Sequence, residues 1–115
     1  MQTPFQLTFH DLPTSPALQA RAKTLVADLD KTFGDIISCR VAIEAPHRRH
    51  HQGRRYRVRI ELGVPGESIV VGHCANDNVL HEDAYVALHD AFRVARRCLA
   101  DHAGRMRDRV RRPAA

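Results

Sequence analysis

Four short segments alternate between hydrophobic and polar residues, and this two-residue period predicts β-strands with one buried face. The first strand runs from Phe5 to about His10, and the second covers residues 36–45. The third begins at Tyr56 and shows the most regular alternation in the chain. A Pro-Gly turn at residues 65–66 joins it to the fourth strand, so these two strands are predicted to form a hairpin.

Two longer segments have the period of amphipathic helices. Ser15 and Pro16 provide an N-cap and a first-turn proline, and this helix is predicted to run to about Phe33, where Gly34 ends it. The second helix follows a loop at residues 76–78 and has a largely basic outer face. Its apolar stripe is formed by Ala84, Leu88, Ala91, Ala95, Leu99, His102 and Met106.

The order of these elements predicts a two-layer fold. A strand–helix–strand crossover is right-handed and joins parallel strands, so the first two strands are expected to be parallel neighbours. Each helix has one apolar stripe and each strand one apolar face. We therefore predict an α+β fold, β-α-β-β-β-α, with a four-stranded mixed sheet and two helices packed on one face. Residues 3–110 are expected to form a single domain and residues 111–115 a frayed C-terminal tail.

The other face of the sheet is expected to be exposed and to carry no aromatic residue. Phe5, Phe9 and Tyr56 have the phase of the core, so base stacking on this face is disfavoured. The residues of the opposite phase are Gln6, Thr8, Ser38, Arg40, Glu44, Arg55, Arg57, Arg59, Glu61 and Ser68.

The composition is that of a globular protein. The chain has 115 residues, of which 43% are hydrophobic and 27% charged, enough for a core without disulfides or metal. Cys39, Cys74 and Cys98 form no close pair, and an odd count of cysteines favours a reducing compartment. No apolar run approaches the roughly 18 residues of a membrane span. We expect a soluble, cytoplasmic protein.

Positive charge is concentrated in two segments. The formal net charge is +5, and 16 of the 18 basic residues are arginines. Residues 46–59 and 93–115 each carry +6, whereas residues 60–92 between them carry −6. Guanidinium groups suit bidentate contacts with phosphate, so this separation of charge favours a polyanionic partner such as RNA.

The segment His47–Arg55 between the second and third strands is the most basic loop. Its arginines, with two more on the third strand, are predicted to contact RNA phosphates: Arg48, Arg49, Arg54, Arg55, Arg57 and Arg59. Histidines in the same loop would add positive charge below about pH 6.5 and strengthen this binding.

A metal site is an alternative interpretation of the histidines. The candidate ligands are His47, His50, His51, His73, Cys74 and His81. No pair has the spacing that fixes a metal geometry, and the nearby arginines would repel a divalent cation. We therefore expect no metal and no cofactor.

Catalysis is not indicated. His81 beside Glu82 and Asp83, or His89 beside Asp90, are the candidate acid–base groups. Acidic residues at 82–83 fit the start of a helix much better, because an acid in the first turn complements the helix dipole. The chain has no nucleophile elbow, glycine-rich phosphate loop or paired-carboxylate motif, so we predict that it is not an enzyme and takes no small-molecule substrate.

The segments CRVAIEAPHRRHHQGRRYRVRIELGVPGESIVV and HEDAYVALHDAFRVARRCLADHAGRMR resemble the ribosome hibernation factors, also called ribosomal subunit interface or sigma-54 modulation proteins. The resemblance extends from Phe5 to about Arg109 and is most specific in the second helix. The residues that carry it there are Asp83, Ala84, Tyr85, Ala87, Leu88, Asp90, Ala91, Arg96 and Arg97.

This resemblance implies a short-form factor that binds the small ribosomal subunit near the mRNA channel and tRNA sites and inhibits translation in stressed cells. Four residues matched by position would then contact rRNA phosphates: Arg93, Arg96, Arg97 and Arg105. Glu61, Glu67 and Asp77 are expected to lie away from rRNA. The chain ends soon after the second helix, without the further domain by which long forms dimerise ribosomes, so the resemblance does not imply dimerisation by that route. We expect a monomer off the ribosome.

Two other interpretations remain open. A double-stranded-RNA-binding module shares the strand–strand–strand–helix portion, but that module begins with its helix, whereas a strand comes first here. A His-rich metal-binding protein is the less favoured alternative.

Overall fold

The computed structural model describes residues 4–10, 12–44, 56–72, 80–81 and 84–111. Its elements are β1 (Phe5–His10), α1 (Pro16–Phe33), β2 (Ser38–Glu44), β3 (Tyr56–Val64), β4 (Glu67–Val71), β5 (Leu80–His81) and α2 (Ala84–Arg111). The predicted α+β fold, with its β-α-β-β-β-α order, four-stranded mixed sheet and two helices, is confirmed. The boundaries proposed for the domain and its tail stay predictions, since residues 1–3 and 112–115 lie outside the described residues.

Helix α1 begins and ends where its capping residues predict. The Ser15 hydroxyl accepts a hydrogen bond from the backbone N–H of Leu18 at 3.2 Å. At the other end, Gly34 has a φ of 69°, and its N–H donates to the carbonyl of Asp30. Both contacts use backbone groups that a helix leaves unsatisfied at its ends.

The sheet has the order β1-β2-β3-β4, with β1 parallel to β2 and the other neighbours antiparallel. The register aligns apolar residues in rows across the strands. One row contains Phe5, Cys39, Leu62 and Ile69. These rows face the helices and form the core with residues such as Leu88 of α2.

A short fifth strand differs from the sequence-based expectation. The loop is predicted at residues 76–78 and no strand is predicted after it, but Leu80–His81 pairs with β3 opposite Tyr56 and Arg57. Two residues are too few to show a period, so this strand is specified by its neighbour rather than by its own sequence. Gly72, whose φ is 109°, lies directly after β4.

Aromatic and cysteine residues occupy the predicted core phase. Phe5, Phe9 and Tyr56 are partly buried against the core. Cys39 is buried, and burial raises the pKa of its thiol to about 12. Cys98 is half-buried, and Cys74 lies outside the described residues.

Candidate nucleic-acid interface

The uncovered face of the sheet carries arginines on β2 and β3. The core phase of β3 buries Val58 and Ile60, so Arg57 and Arg59, which alternate with them, are exposed on the opposite face. Arg40 of β2 is exposed on the same face. The prediction of an exposed, partly basic sheet face is confirmed for the described residues.

The register decides which of these arginines have acidic neighbours. Arg40 lies opposite Glu61, and their side chains form an ion pair of 3.6 Å. Arg57 lies opposite Glu44, although no ion pair joins them. Arg59 instead lies opposite Ala42.

Arg59 is also bordered by a glycine on its other side. A Cβ atom added at Gly72 would lie 3.4 Å from the Cα of Arg59, so this neighbour has no side chain to cover the guanidinium group. Within the described ranges, neither Arg57 nor Arg59 takes part in an ion pair. Both are therefore available to an external anion.

The arginines of α2 also differ in whether they form ion pairs. Arg93 forms an ion pair with Asp90, one turn earlier in the helix. Arg105 pairs with Glu67 of β4, with 2.8 Å between Nη2 and Oε2. Arg96 and Arg97 are exposed and have no ion-pair partner in the part of the chain that the structure describes.

Glu67 connects β4 to α2 through two side chains. Its Oε2 also lies 2.6 Å from Nδ1 of His102, which is 4% exposed. The hydrogen bonds from His102 and then Arg105 lower the pKa of Glu67. The sequence-based expectation has Arg105 contacting rRNA and Glu67 lying apart from it, whereas the structure shows that the two residues bind each other.

The basic residues therefore lie on two opposite faces. The helices cover one face of the sheet, so the α2 pair Arg96 and Arg97 lies on the helical side, while Arg57 and Arg59 lie on the open side. The sequence interpretation treats them as one surface, which the structure separates. The remaining predicted contacts, Arg48, Arg49, Arg54 and Arg55, lie outside the described residues.

The metal and catalytic candidates lie mostly outside the described residues. This applies to residues 47–51, 73–74 and 82–83, and to the side chain of His81. Among the described residues, no group of three or more His, Cys, Asp or Glu side chains is placed to hold a metal ion. His89 is hydrogen-bonded to Arg21 across the two helices.

Neither helix, over its described residues, combines the length and the apolar character needed to span a membrane.

Known protein structures share this fold. The N-terminal domain of Protein Y from Thermus thermophilus is 16% identical, with a TM-score of 0.66 over 85% of this chain and 96% of that chain. A ribosomal subunit interface protein from Coxiella burnetii is 14% identical, with a TM-score of 0.71 over 89% of this chain and 99% of that chain. No curated protein sequence matches the chain significantly.

The sequence itself identifies the family. The family described as "Sigma 54 modulation protein / S30EA ribosomal protein" matches residues 5–107, which include every described strand and most of α2. The resemblance found in the sequence is thereby confirmed. The chain belongs to the family of sigma 54 modulation proteins and S30EA ribosomal proteins, which are ribosome-associated proteins.

Proposed function

We propose that this protein binds the small ribosomal subunit through rRNA phosphates near the mRNA and tRNA sites, and thereby inhibits translation under stress. The observation that carries the proposal is the group of arginines without ion pairs to described residues in a member of this family: Arg57, Arg59, Arg96 and Arg97. Guanidinium groups bind phosphate oxygens well, and none of these four has to be separated from a carboxylate of the described residues before it binds.

The mechanism is occupancy rather than chemistry. The family is non-enzymatic. A folded body held by phosphate contacts would exclude mRNA and tRNA from the space that it fills. The protein would act in the cytoplasm, as a monomer before it reaches the ribosome, and would need no cofactor.

The two opposite basic faces of the domain favour a ribosomal binding site in which rRNA lies on both sides of the protein. The domain extends only 17 Å along its shortest axis. RNA segments on either side of it would each meet one arginine pair. This arrangement predicts that neutralising either face weakens binding, and that neutralising both weakens it more.

The test is co-sedimentation with isolated small and large subunits over a salt series. Arg57→Gln with Arg59→Gln removes the sheet contacts, and Arg96→Gln with Arg97→Gln removes the helix contacts. Each phosphate contact that a substitution removes should make the plot of log K against log salt less steep by about 0.7 to 0.9. Lys23→Gln with Lys31→Gln on α1 makes the same change in net charge and serves as the control.

The expected result is binding to small subunits that both arginine variants weaken more than the lysine control does. Equal weakening in all three variants would show a response to net charge alone and would contradict the proposed contacts. Equal affinity for a plain RNA duplex and for the small subunit would favour a general double-stranded-RNA-binding module instead. Inhibition of translation in a cell-free system should follow the measured occupancy.

A further inference from the structure

A groove of about 380 Å³ lies between α1 and α2. Leu25 and Leu29 of α1 and Phe92 of α2 provide its apolar lining. Leu29 and Phe92 are buried beneath the groove, whereas Leu25 is half-buried and contributes most of the accessible apolar surface among these three. The volume is within the range of about 300–1,000 Å³ that is usual for pockets that hold small ligands.

Contacts between the two helices hold one end of the groove. Nη1 of Arg21 lies 3.0 Å from Nε2 of His89, a groove residue. The guanidinium group of Arg21 also lies over the ring of Tyr85, 5.8 Å from its centroid. Arginine can only donate, so Nε2 of His89 is the acceptor in this contact. These contacts order the side chains at the entrance.

Opposite charges line the groove without neutralising each other. Asp28 is on α1 and Arg96 is on α2, and both side chains are exposed. No ion pair joins them, and within the described residues neither has another ion-pair partner. Arg93, also in the lining, is already paired with Asp90. The groove thus presents a hydrogen-bond acceptor and a cation together with an apolar lining.

We propose that this groove holds one unpaired nucleotide of single-stranded RNA, with a preference for a base that has an exocyclic amino group. The base would lie on the leucine and phenylalanine surface, its amino group would donate to Asp28, and its phosphate would bind Arg96. Proteins read unstacked bases in this way, and a carboxylate selects the amino group of cytosine over the carbonyl of uracil. The inference rests on the proposed function, because it names the RNA element that the helical face would take.

The two charged residues of the groove indicate the kind of ligand that it binds. A carboxylate beside the cation weakens the binding of a simple anion, because Asp28 repels phosphate. A nucleotide uses both groups, since it carries a negative phosphate and a hydrogen-bond donor several ångströms apart. An acidic peptide would meet the same repulsion from Asp28 as a simple anion.

The experiment titrates the full-length protein with two RNA pentamers, oligocytidylate and oligouridylate, which differ only in the pyrimidine edge. Affinity is measured by calorimetry, and NMR follows the methyl groups of Leu25 and Leu29. We expect the cytidine pentamer to bind about tenfold more tightly, as one hydrogen bond to a charged group would allow. Its binding should shift both leucine methyl resonances.

The effect of Asp28→Asn on the preference for cytidine tests the role of the carboxylate. If the carboxylate accepts the amino proton, this variant loses most of the preference for cytidine. If the carboxylate merely repels RNA, the variant keeps the wild-type ratio of the two affinities, and the proposal is wrong. Asp101→Asn, an exposed carboxylate elsewhere on α2, makes the same charge change and should strengthen both equally. Arg96→Gln should weaken both pentamers.

Failure of the groove proposal can be distinguished from failure of the proposed ribosome binding. If the pentamers leave Leu25 and Leu29 unshifted while small-subunit binding persists, the groove proposal is overturned and the ribosome proposal stands. If small-subunit binding is absent as well, both fail. Thermal unfolding of each variant verifies that the exposed substitutions leave the fold intact.

Discussion

Glu67 on β4 and His102 on α2 lie 2.6 Å apart, between Oε2 and Nδ1, although 35 residues separate them in the sequence. The histidine is almost fully buried, and its Nε2 atom has no hydrogen-bond partner among the described residues. A proton on Nδ1 is donated to Glu67 in this geometry, whereas a proton on Nε2 would be a buried donor without an acceptor among the described residues. Glu67 therefore sets the tautomer of His102 and fixes α2 to the hairpin.

This contact predicts a pH-dependent contribution to stability. The pKa of Glu67 lies below its ordinary value of 4.5, chiefly because His102 and then Arg105 hydrogen-bond to the carboxylate. Such a group stabilises the fold above its unfolded pKa, and the stabilisation is lost as the pH falls through the folded pKa. Glu67→Gln should therefore be less stable than the wild type at pH 7, and the difference should shrink as the pH falls below 4.5.

Urea unfolding at several pH values measures this difference. Asp101→Asn is the control for the removal of one negative charge from the exposed surface. A gap between wild type and Glu67→Gln that stays constant from neutral to acidic pH would contradict the role assigned to the Glu67 carboxylate.

Arg97 and Arg105 are expected to have different roles although they lie on the same helix. Arg97→Gln should weaken small-subunit binding and leave the melting temperature unchanged, because Arg97 has no ion pair with a described residue. Arg105→Gln should lower the melting temperature more than Arg97→Gln, because it removes a partner of Glu67. Thermal unfolding and co-sedimentation of the two variants make the comparison. If Arg105→Gln instead weakened small-subunit binding and left the melting temperature unchanged, Arg105 would be a contact residue of the interface.

Two glycines with positive φ should differ in their tolerance of alanine. At Gly66, φ is 86° and nothing lies within 4 Å of an added Cβ, so the cost is conformational, about 1 kcal/mol. At Gly72, φ is 109° and the added Cβ would lie 3.0 Å from the carbonyl oxygen of Val58. We expect Gly72→Ala to cost about 2 to 3 kcal/mol, measured by urea unfolding. Equal costs would show that the backbone near β3 relaxes freely.

Cys39 should be inert to thiol reagents while the protein is folded. With a pKa of about 12, its thiolate fraction at pH 8 is about 10⁻⁴. Alkylation by iodoacetamide, followed by peptide mass spectrometry, should modify Cys39 only in denaturant. The half-buried Cys98 provides an internal comparison. Rapid modification of Cys39 in native buffer would show that β2 opens readily.

The fold was predictable because several local signals agree. The Ser15 and Gly34 caps define α1, and the alternation in β3 assigns each of its residues to a face. The family follows from the α2 residues. These signals lie within a few positions of each other, so sequence alone is sufficient to read them.

The pairing of charges was not predictable in the same way. Arg97 and Arg105 are both basic residues on the outer part of one helix, and only the position of β4 gives one of them a carboxylate. His102 has the phase of an apolar residue, and its partner lies in another element. The two-residue strand β5 and the groove between the helices likewise depend on tertiary packing.

Alternate residues of strand β3 serve the apolar core and the proposed RNA-binding face. It pairs with β2, β4 and β5, and its buried Val58 and Ile60 alternate with the exposed Arg57 and Arg59. Sliding β3 by one position would bring Arg57 and Arg59 into the apolar interior, at a cost that excludes the misaligned sheet. The arginines that we propose to bind RNA therefore also disfavour a shifted register of β3 during folding. Replacing them with small apolar residues would promote misfolded and aggregated chains.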